Sequence, residues 1–312
     1  MHSLTRAALG VSAVGAASLG YAVASATLDF RLRRVSVPVL PQGSRPLRVL
    51  HLSDLHITPS QTRKRAWVQS LADLRPDFVI DTGDNLAHLQ AVPMALEALG
   101  PLLELPGAFV LGSNDYWAPK VKNPALYLLP DTGRRHLGTR LPTGDLVAGL
   151  TAAGWADLSN ARARFSVGEL DLELVGVNDP HMKLDRYDEV AGPADPGADL
   201  TLGVLHAPYQ RVLDAMSRDG ARLMIAGHTH GGQLRVPGYG ALVTNCDLDR
   251  YRASGLSRWW PGAGFDPRSA LRPAPAQAAW LHVSAGLGTS PYTPVRFACP
   301  PEATLLTLSP TA

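Results

Sequence analysis

Five short apolar runs in this chain each end in residues able to bind a metal ion. Arg48–Ser53 (RVLHLS) leads to Asp54 and His56, and FVI at 78–80 leads to Asp84. AFVLGS at 108–113 leads to Asn114, TLGVL at 201–205 to His206, and RLMIAG at 222–227 to His228 and His230. Apolar runs of this length without polar alternation read as strands buried on both faces. Trp67, Leu71 and Leu74, and then Val212, Leu213 and Met216, stand at helical spacing between them, with Gly220 as a C-cap after the second set. FSVGELDLELVGV, with a glycine between two alternating segments, reads as a hairpin, so the α/β fold is mixed rather than purely parallel. Open α/β sheets place ligands at the carboxyl ends of their strands. Donors far apart in sequence are therefore expected in one crevice.

Asp54, His56, Asp84, Asn114, His206, His228 and His230 are too many donors for one tetrahedral zinc. They suit two divalent ions about 3.5–4 Å apart that share a carboxylate. Mixed imidazole, carboxylate and amide chemistry favours Mn, Fe or Zn over calcium or an iron–sulfur centre. Asp-x-His alone arises by chance, and His-x-His serves other metallohydrolases. Specificity lies in the ordered set, each member after an apolar run.

In that order the motifs resemble the calcineurin-like metallophosphoesterase family over roughly residues 47–308. They are most similar to a membrane-anchored bacterial branch with Gly-His-Thr-His-Gly-Gly-Gln, here at 227–233, and a segment like VSAGLGTSPYTPVRFACPPEATLLTL, here at 283–308. The resemblance implies a four-layer α/β/β/α sandwich with two mixed β-sheets. It assigns Asp54, His56 and His230 to one ion, Asn114, His206 and His228 to the other, and Asp84 to the bridge. It implies hydrolysis of a phosphoester, in which such an ion pair activates water and neutralises phosphoryl charge.

One motif departs from the family. Gly112-Ser113-Asn114-Asp115 stands where Gly-Asn-His-Asp is usual. Without a gap, Ser113 occupies the ligand position and Asn114 that of the catalytic His; a shift of one residue makes Asn114 the ligand. Either way the usual proton donor is missing, and Asp115, His181 or water are the substitutes. A missing donor, typically worth about 10²–10⁴-fold, favours good leaving groups such as a pyrophosphate-linked phosphate. The same departure leaves open a catalytically weak metal-binding scaffold for protein partners.

From Ala7 to Leu28 there is no charged residue, a length suited to a bilayer, although Ala, Gly and Ser dominate it. Residues 1–34 are thus expected to be a hydrophobic N-terminal helix acting as a membrane anchor, with a cleaved signal ending near Ala24-Ser25-Ala26 or an Ala-rich soluble helix as alternatives. The side of the membrane is open, since Arg31, Arg33 and Arg34 and the short N-terminal flank point opposite ways. An anchor suggests a phosphodiester or pyrophosphate of a lipid- or envelope-linked substrate. Residues 35–46 read as a Pro-rich linker or edge strand before a metallophosphoesterase domain at 47–312. A net charge of +2 gives no electrostatic case for a nucleic-acid partner. Cys246 and Cys299 read as ordinary small apolar residues, with a bridge as the alternative. The stretches 118–144 and 250–279, the second with Trp259-Trp260, read as long excursions that wall the site, touch lipid or lie on the surface.

Overall fold

Two six-stranded sheets take up the chain's apolar runs. The structure, a computed structural model, describes residues 2–121 and 137–311. It opens on helix α1 (His2–Leu28), followed by β1 (Arg31–Leu40) and β2 (Leu47–Leu52). Next come α2 (Thr62–Ser70), β3 (Phe78–Asp81), α3 (Val92–Leu99), β4 (Gly107–Phe109), the short α4 (Ser113–Tyr116) and α5 (Thr143–Ala152). Then follow β5 (Ala156–Asp157), β6 (Ala161–Val167), β7 (Leu170–Gly176), β8 (Leu200–Leu205), α6 (Gln210–Arg218) and β9 (Leu223–Ala226). The chain closes with β10 (Arg235–Val236), β11 (Gly240–Ala241), β12 (Gly255–Trp259), β13 (Ala279–Val283) and β14 (Glu302–Pro310).

The first sheet runs β1-β14-β2-β3-β4-β5 and the second β12-β13-β9-β8-β7-β6. Both are mixed. β14 meets β2 antiparallel within an otherwise parallel first sheet. In the second, the β6–β7 hairpin and β12 are the antiparallel edges of a parallel centre. Register aligns the strand ends that matter. Leu52 pairs with Asp81 and Asp81 with Phe109 in one sheet. Leu205 and Val283 both pair with Ala226 in the other.

Period-two geometry sends successive residues of one strand to different cores. Val49, Phe78 and Ile80 share a buried cluster with Leu172, Leu202 and Ile225 of the second sheet. Their neighbours Leu50 and Val79 pack instead with Val68 of α2, Ala95 and Leu99 of α3, and Leu146 and Leu150 of α5. On the second sheet, Val175, Leu205 and Met224 pack with Val212, Leu213 and Met216 of α6. Burying each such side chain contributes about 1.5–3 kcal/mol. Truncating Phe78, fully buried among its neighbours, is expected to cost about 3–5 kcal/mol.

Several expectations change here. Of the two readings of 35–46, the edge strand holds over 35–40 and the linker does not: β1 pairs with β14 from Arg31 to Leu40 and forms an edge of the first sheet. Trp259 does not touch lipid; it ends β12, is fully buried, and gives its indole N–H to Asp214. Arg252, also buried, stands 5.2 Å from its ring. Much of the 118–144 stretch lies outside the described residues. No disulfide joins Cys246 and Cys299. Helix α1 is present, but among the described residues no helix is long and apolar enough to cross a membrane. Its Ala, Gly and Ser content dilutes its hydropathy. Its end is docked: Ala22, Ser25 and Ala26 are buried, the Ala22 carbonyl accepts from the Arg296 N–H at 2.9 Å, and Tyr21 meets Phe297 edge-on at 5.5 Å.

Candidate metal centre

The aligned strand ends put the predicted donors on one edge of the fold. Just past β2 and β3, two loops zip together through Asp54 N–H to Gly83 O (2.8 Å) and His56 N–H to Asp84 O (2.9 Å). The second sheet joins them where His206 Nδ1 lies 2.7 Å from the Thr82 carbonyl and the His228 N–H meets Asp54 Oδ2 at 3.0 Å. To turn their side chains inward, Asp54, His56, Asp84, His228 and His230 adopt left-handed backbone, with φ of 51°, 44°, 58°, 69° and 49°. Non-glycine residues held there each cost on the order of 1–3 kcal/mol, and such strain gathers at functional sites.

Two buried groups of donors result: Asp54 with His56 and His230, and Asp54 with Asp84 and His206, each with its ligand atoms within 4.8 Å of one another. Asp84 also stands between the groups, with Oδ2 at 3.5 Å from His56 Nε2 and Oδ1 at 3.5 Å from His206 Nε2. Proximity alone thus makes Asp54 common to both groups, while the contacts of Asp84 put one oxygen toward each. His56 Nε2 and His230 Nε2 approach to 3.3 Å, as do His206 Nε2 and His228 Nδ1. Asn114 reaches the same carboxylate, its backbone N–H to Asp84 Oδ1 at 2.7 Å and its amide nitrogen to Oδ2 at 2.6 Å. Exchanging the two ends of that amide would present Oδ1 instead.

These residues fit a pair of cations. Asp54 Oδ1 is buried without a hydrogen-bond partner. The far nitrogens of His206 and His228 face the carbonyls of Thr82 and Asn245, at 2.7 and 3.1 Å, which turns the near nitrogens inward, where each could offer a lone pair to a cation. Burial pushes Asp54 up to about 6, against the opposing pull of His206. Burial also holds His56 down to about 4 and His230 well below its usual value. His206 goes the other way, to about 9: burial opposes its charge, but Asp84, Asp179 and Asp54 outweigh it. Without a metal, a proton on His206 supplies the positive charge these carboxylates need.

The two substitute donors part company. Asp115 is fully buried and accepts from the N–H groups of Asp84 (2.8 Å), Asn85 (2.7 Å) and Gly112 (2.9 Å), so its oxygens are engaged in holding the loops. Burial, then the Asp84 charge, pushes it up to about 8. His181 lies over His228 with ring centroids 4.4 Å apart, and its Nδ1 is 3.2 Å from Tyr209 Oη. Sequence reasoning missed Arg296, fully buried behind His230 with Nη2 at 3.4 Å from Nδ1. The only signal was its place in the 283–308 segment, where a lone arginine follows an apolar strand and a glycine-rich turn.

The calcineurin-like phosphoesterase model matches residues 47–232, from the start of β2 to just past His230. The uncharacterized protein YpbG of Bacillus subtilis is 28% identical over 242 residues, covering 74% of this chain and 80% of that one. The phosphodiesterase YaeI of Escherichia coli is 26% identical over 285 residues, 89% of this chain and 88% of its own. A bovine transmembrane protein with a metallophosphoesterase domain is 25% identical over 206 residues, 64% of this chain and 44% of the relative. The family match takes in every donor that the strands bring together. The chain belongs to the calcineurin-like phosphoesterase family and is a metal-dependent phosphoesterase.

Proposed function

We propose that the chain hydrolyses phosphodiester or pyrophosphate bonds with two divalent ions, Mn, Fe or Zn. In this reading Asp54, His56 and His230 hold one ion, Asn114, His206 and His228 the other, and Asp84 bridges. One observation carries it: Asp84 offers one oxygen to the His56 side and the other to the His206 side, each at 3.5 Å. When bound, the ions supply an activated water and neutralise charge on the phosphoryl oxygens. The four-layer sandwich that goes with this reading is supported by the three buried clusters.

The protein's own groups do the rest. Thr82 and Asn245 fix two imidazoles by their outer nitrogens, so little reorganisation is needed as charge develops. As a ligand Asn114 can also orient Asp84 through its amide nitrogen, but it cannot give up a proton at neutral pH. His181, beside His228 and Tyr209, is the better placed of the remaining groups to protonate a leaving oxygen. A single donor set to one side favours substrates whose leaving group needs little help. Membrane association, and with it a lipid- or envelope-linked substrate, is supported by the exposed Val14 and Leu19 on α1 and by the name of the bovine relative.

The test uses the full chain loaded with Mn²⁺, with metal content and hydrolysis of bis-p-nitrophenyl phosphate measured beside Asp84→Ala. Two ions per chain and turnover that Asp84→Ala abolishes are expected. Metal without turnover on diesters or pyrophosphates would favour the second reading, a metal-binding scaffold, for which the Ser113-Asn114 departure speaks. Co-sedimentation of the chain with lipid vesicles is expected, and a chain left wholly in the supernatant would remove the lipid-linked substrate.

A further inference from the structure

The segment 283–308 has no role in the ligand set, yet it closes one side of it. After β13 the chain crosses the site as Ala285-Gly286-Leu287-Gly288. Leu287 N–H donates to Ser53 O at 3.0 Å and Gly288 N–H to Asp54 O at 2.6 Å. The fit leaves no room for side chains: a Cβ on Gly286 would stand 2.5 Å from Asp54 Cβ, and one on Gly288 2.6 Å from His56 Cβ. Gly286 also needs a φ of 68°.

Arg296 holds this loop in place. Its Nη2 donates to the carbonyls of Ala285 (2.7 Å), Gly286 (3.1 Å) and Gly288 (2.7 Å). Nη1 lies 3.4 Å from the carbonyls of His230 and Cys299. Among the described residues this guanidinium, 0% exposed, has no carboxylate partner. A buried charge without a counter-ion is expensive, and a planar fork that gathers several carbonyls is what arginine does and lysine cannot. Glu302 fixes the loop from the other end, taking the Ala285 N–H at 3.1 Å while Arg33 binds its second oxygen at 2.9 Å. All these contacts fall on the Asp54–His56–His230 side. The backbone N–H of Arg296 is also the group that meets Ala22 of α1, next to the Tyr21–Phe297 contact.

We propose that Arg296 is a positioning residue for the Asp54–His56–His230 half of the centre, and that helix α1, docked on the same segment, belongs to that frame. The inference rests on the two-ion reading above. Helix α1 is then more than a tether: dislodging it loosens one ion and spares the other. Losing a partner of this kind typically weakens metal binding about 10–100-fold.

The experiment titrates Mn²⁺ into the full-length chain by calorimetry, with metal content measured after dialysis. Arg296→Gln is expected to hold one ion as tightly as the parent and to bind the other 10–100-fold more weakly, matching His230→Ala and not His206→Ala. Arg296→Lys, which keeps the charge but not the fork, is expected to fall between. Ala22→Arg, at a buried position of α1 outside the proposed ligand set, is expected to weaken the same ion by a smaller factor. Unchanged affinities, or equal weakening of both ions, in Arg296→Gln would overturn the positioning role. If that variant fails to fold, Arg296→Lys decides by the same criterion. Ala22→Arg indistinguishable from the parent would overturn the part given to α1. A parent chain with fewer than two ions would sink the two-ion reading and this inference with it; a parent with two isolates the failure here.

Discussion

Asp54, His56 and His230 are enclosed by backbone: all three have left-handed φ, and the Gly286–Gly288 loop lies directly on the first two. The donors around Asp84 are set differently. Asn114 and His206 have ordinary backbone, only Asp84 and His228 are left-handed, and His228 packs against the ring of His181. The first half is fixed by main-chain geometry that tolerates few residues. The second is held by such geometry only in part, and it is there that Ser113 and Asn114 depart from the family pattern. A chain can thus change its proton chemistry on one side of a metal pair while the other side keeps its shape.

The largest effect is expected where the halves meet. Asp84→Ala removes the carboxylate that touches both, and should lower diester hydrolysis by more than roughly 10³-fold, beyond the loss of a single positioned donor. Steady-state rates and metal content check it, and retention of both ions would dissolve the distinction between halves. Next comes His181→Asn, expected to slow substrates with alkoxide leaving groups by about 10²-fold while sparing p-nitrophenolate. An equal effect on both leaving groups would remove His181 as donor.

A smaller change sorts the departed motif. Asn114→Ala is expected to weaken one ion about 10–100-fold, and Ser113→Ala to leave both within about twofold. The reverse result would put Ser113 in the ligand position. The smallest effect concerns the metal-free protein. His206 is raised from 6.5 to about 9, so the stability it contributes is complete below pH 6.5 and lost as pH rises through 9. Asp115, raised to about 8, and Asp81, raised to about 7 by burial, act in the same direction. Lys64, lowered to about 7 by burial, works against these three above pH 7 but is outnumbered. The Tm in chelator should therefore fall between pH 6.5 and 9, and less so with Mn²⁺ present, since a bound ion takes over the role of the His206 proton. A chelated chain whose Tm rises across that window would contradict the electrostatics.

The strands and the gathering of the candidate donors at their ends are legible because both leave local marks: an apolar run, then a donor type at the strand end. Val49 and Leu50 show why the layers follow, since neighbours on one buried strand must serve two cores. Other features leave no local mark. Asp115 reads as an acid near a catalytic motif, and only the three backbone donors around it reveal that it holds loops. Arg296 lies 66 residues from His230, and nothing nearby in sequence marks their contact. Trp259 looked like an excursion because β12 gains its partner only through pairing with β13.

The left-handed backbone at Asp54, His56, Asp84, His228 and His230 has a consequence for selection. Glycine would relax each position, so without metal these are sites where a mutation that destroys the enzyme can make the fold hardier. A library selected only for heat resistance in chelator should drift toward glycine at these positions, and one selected for turnover should never do so. The disagreement between the two selections would trace the centre without any ligand being seen.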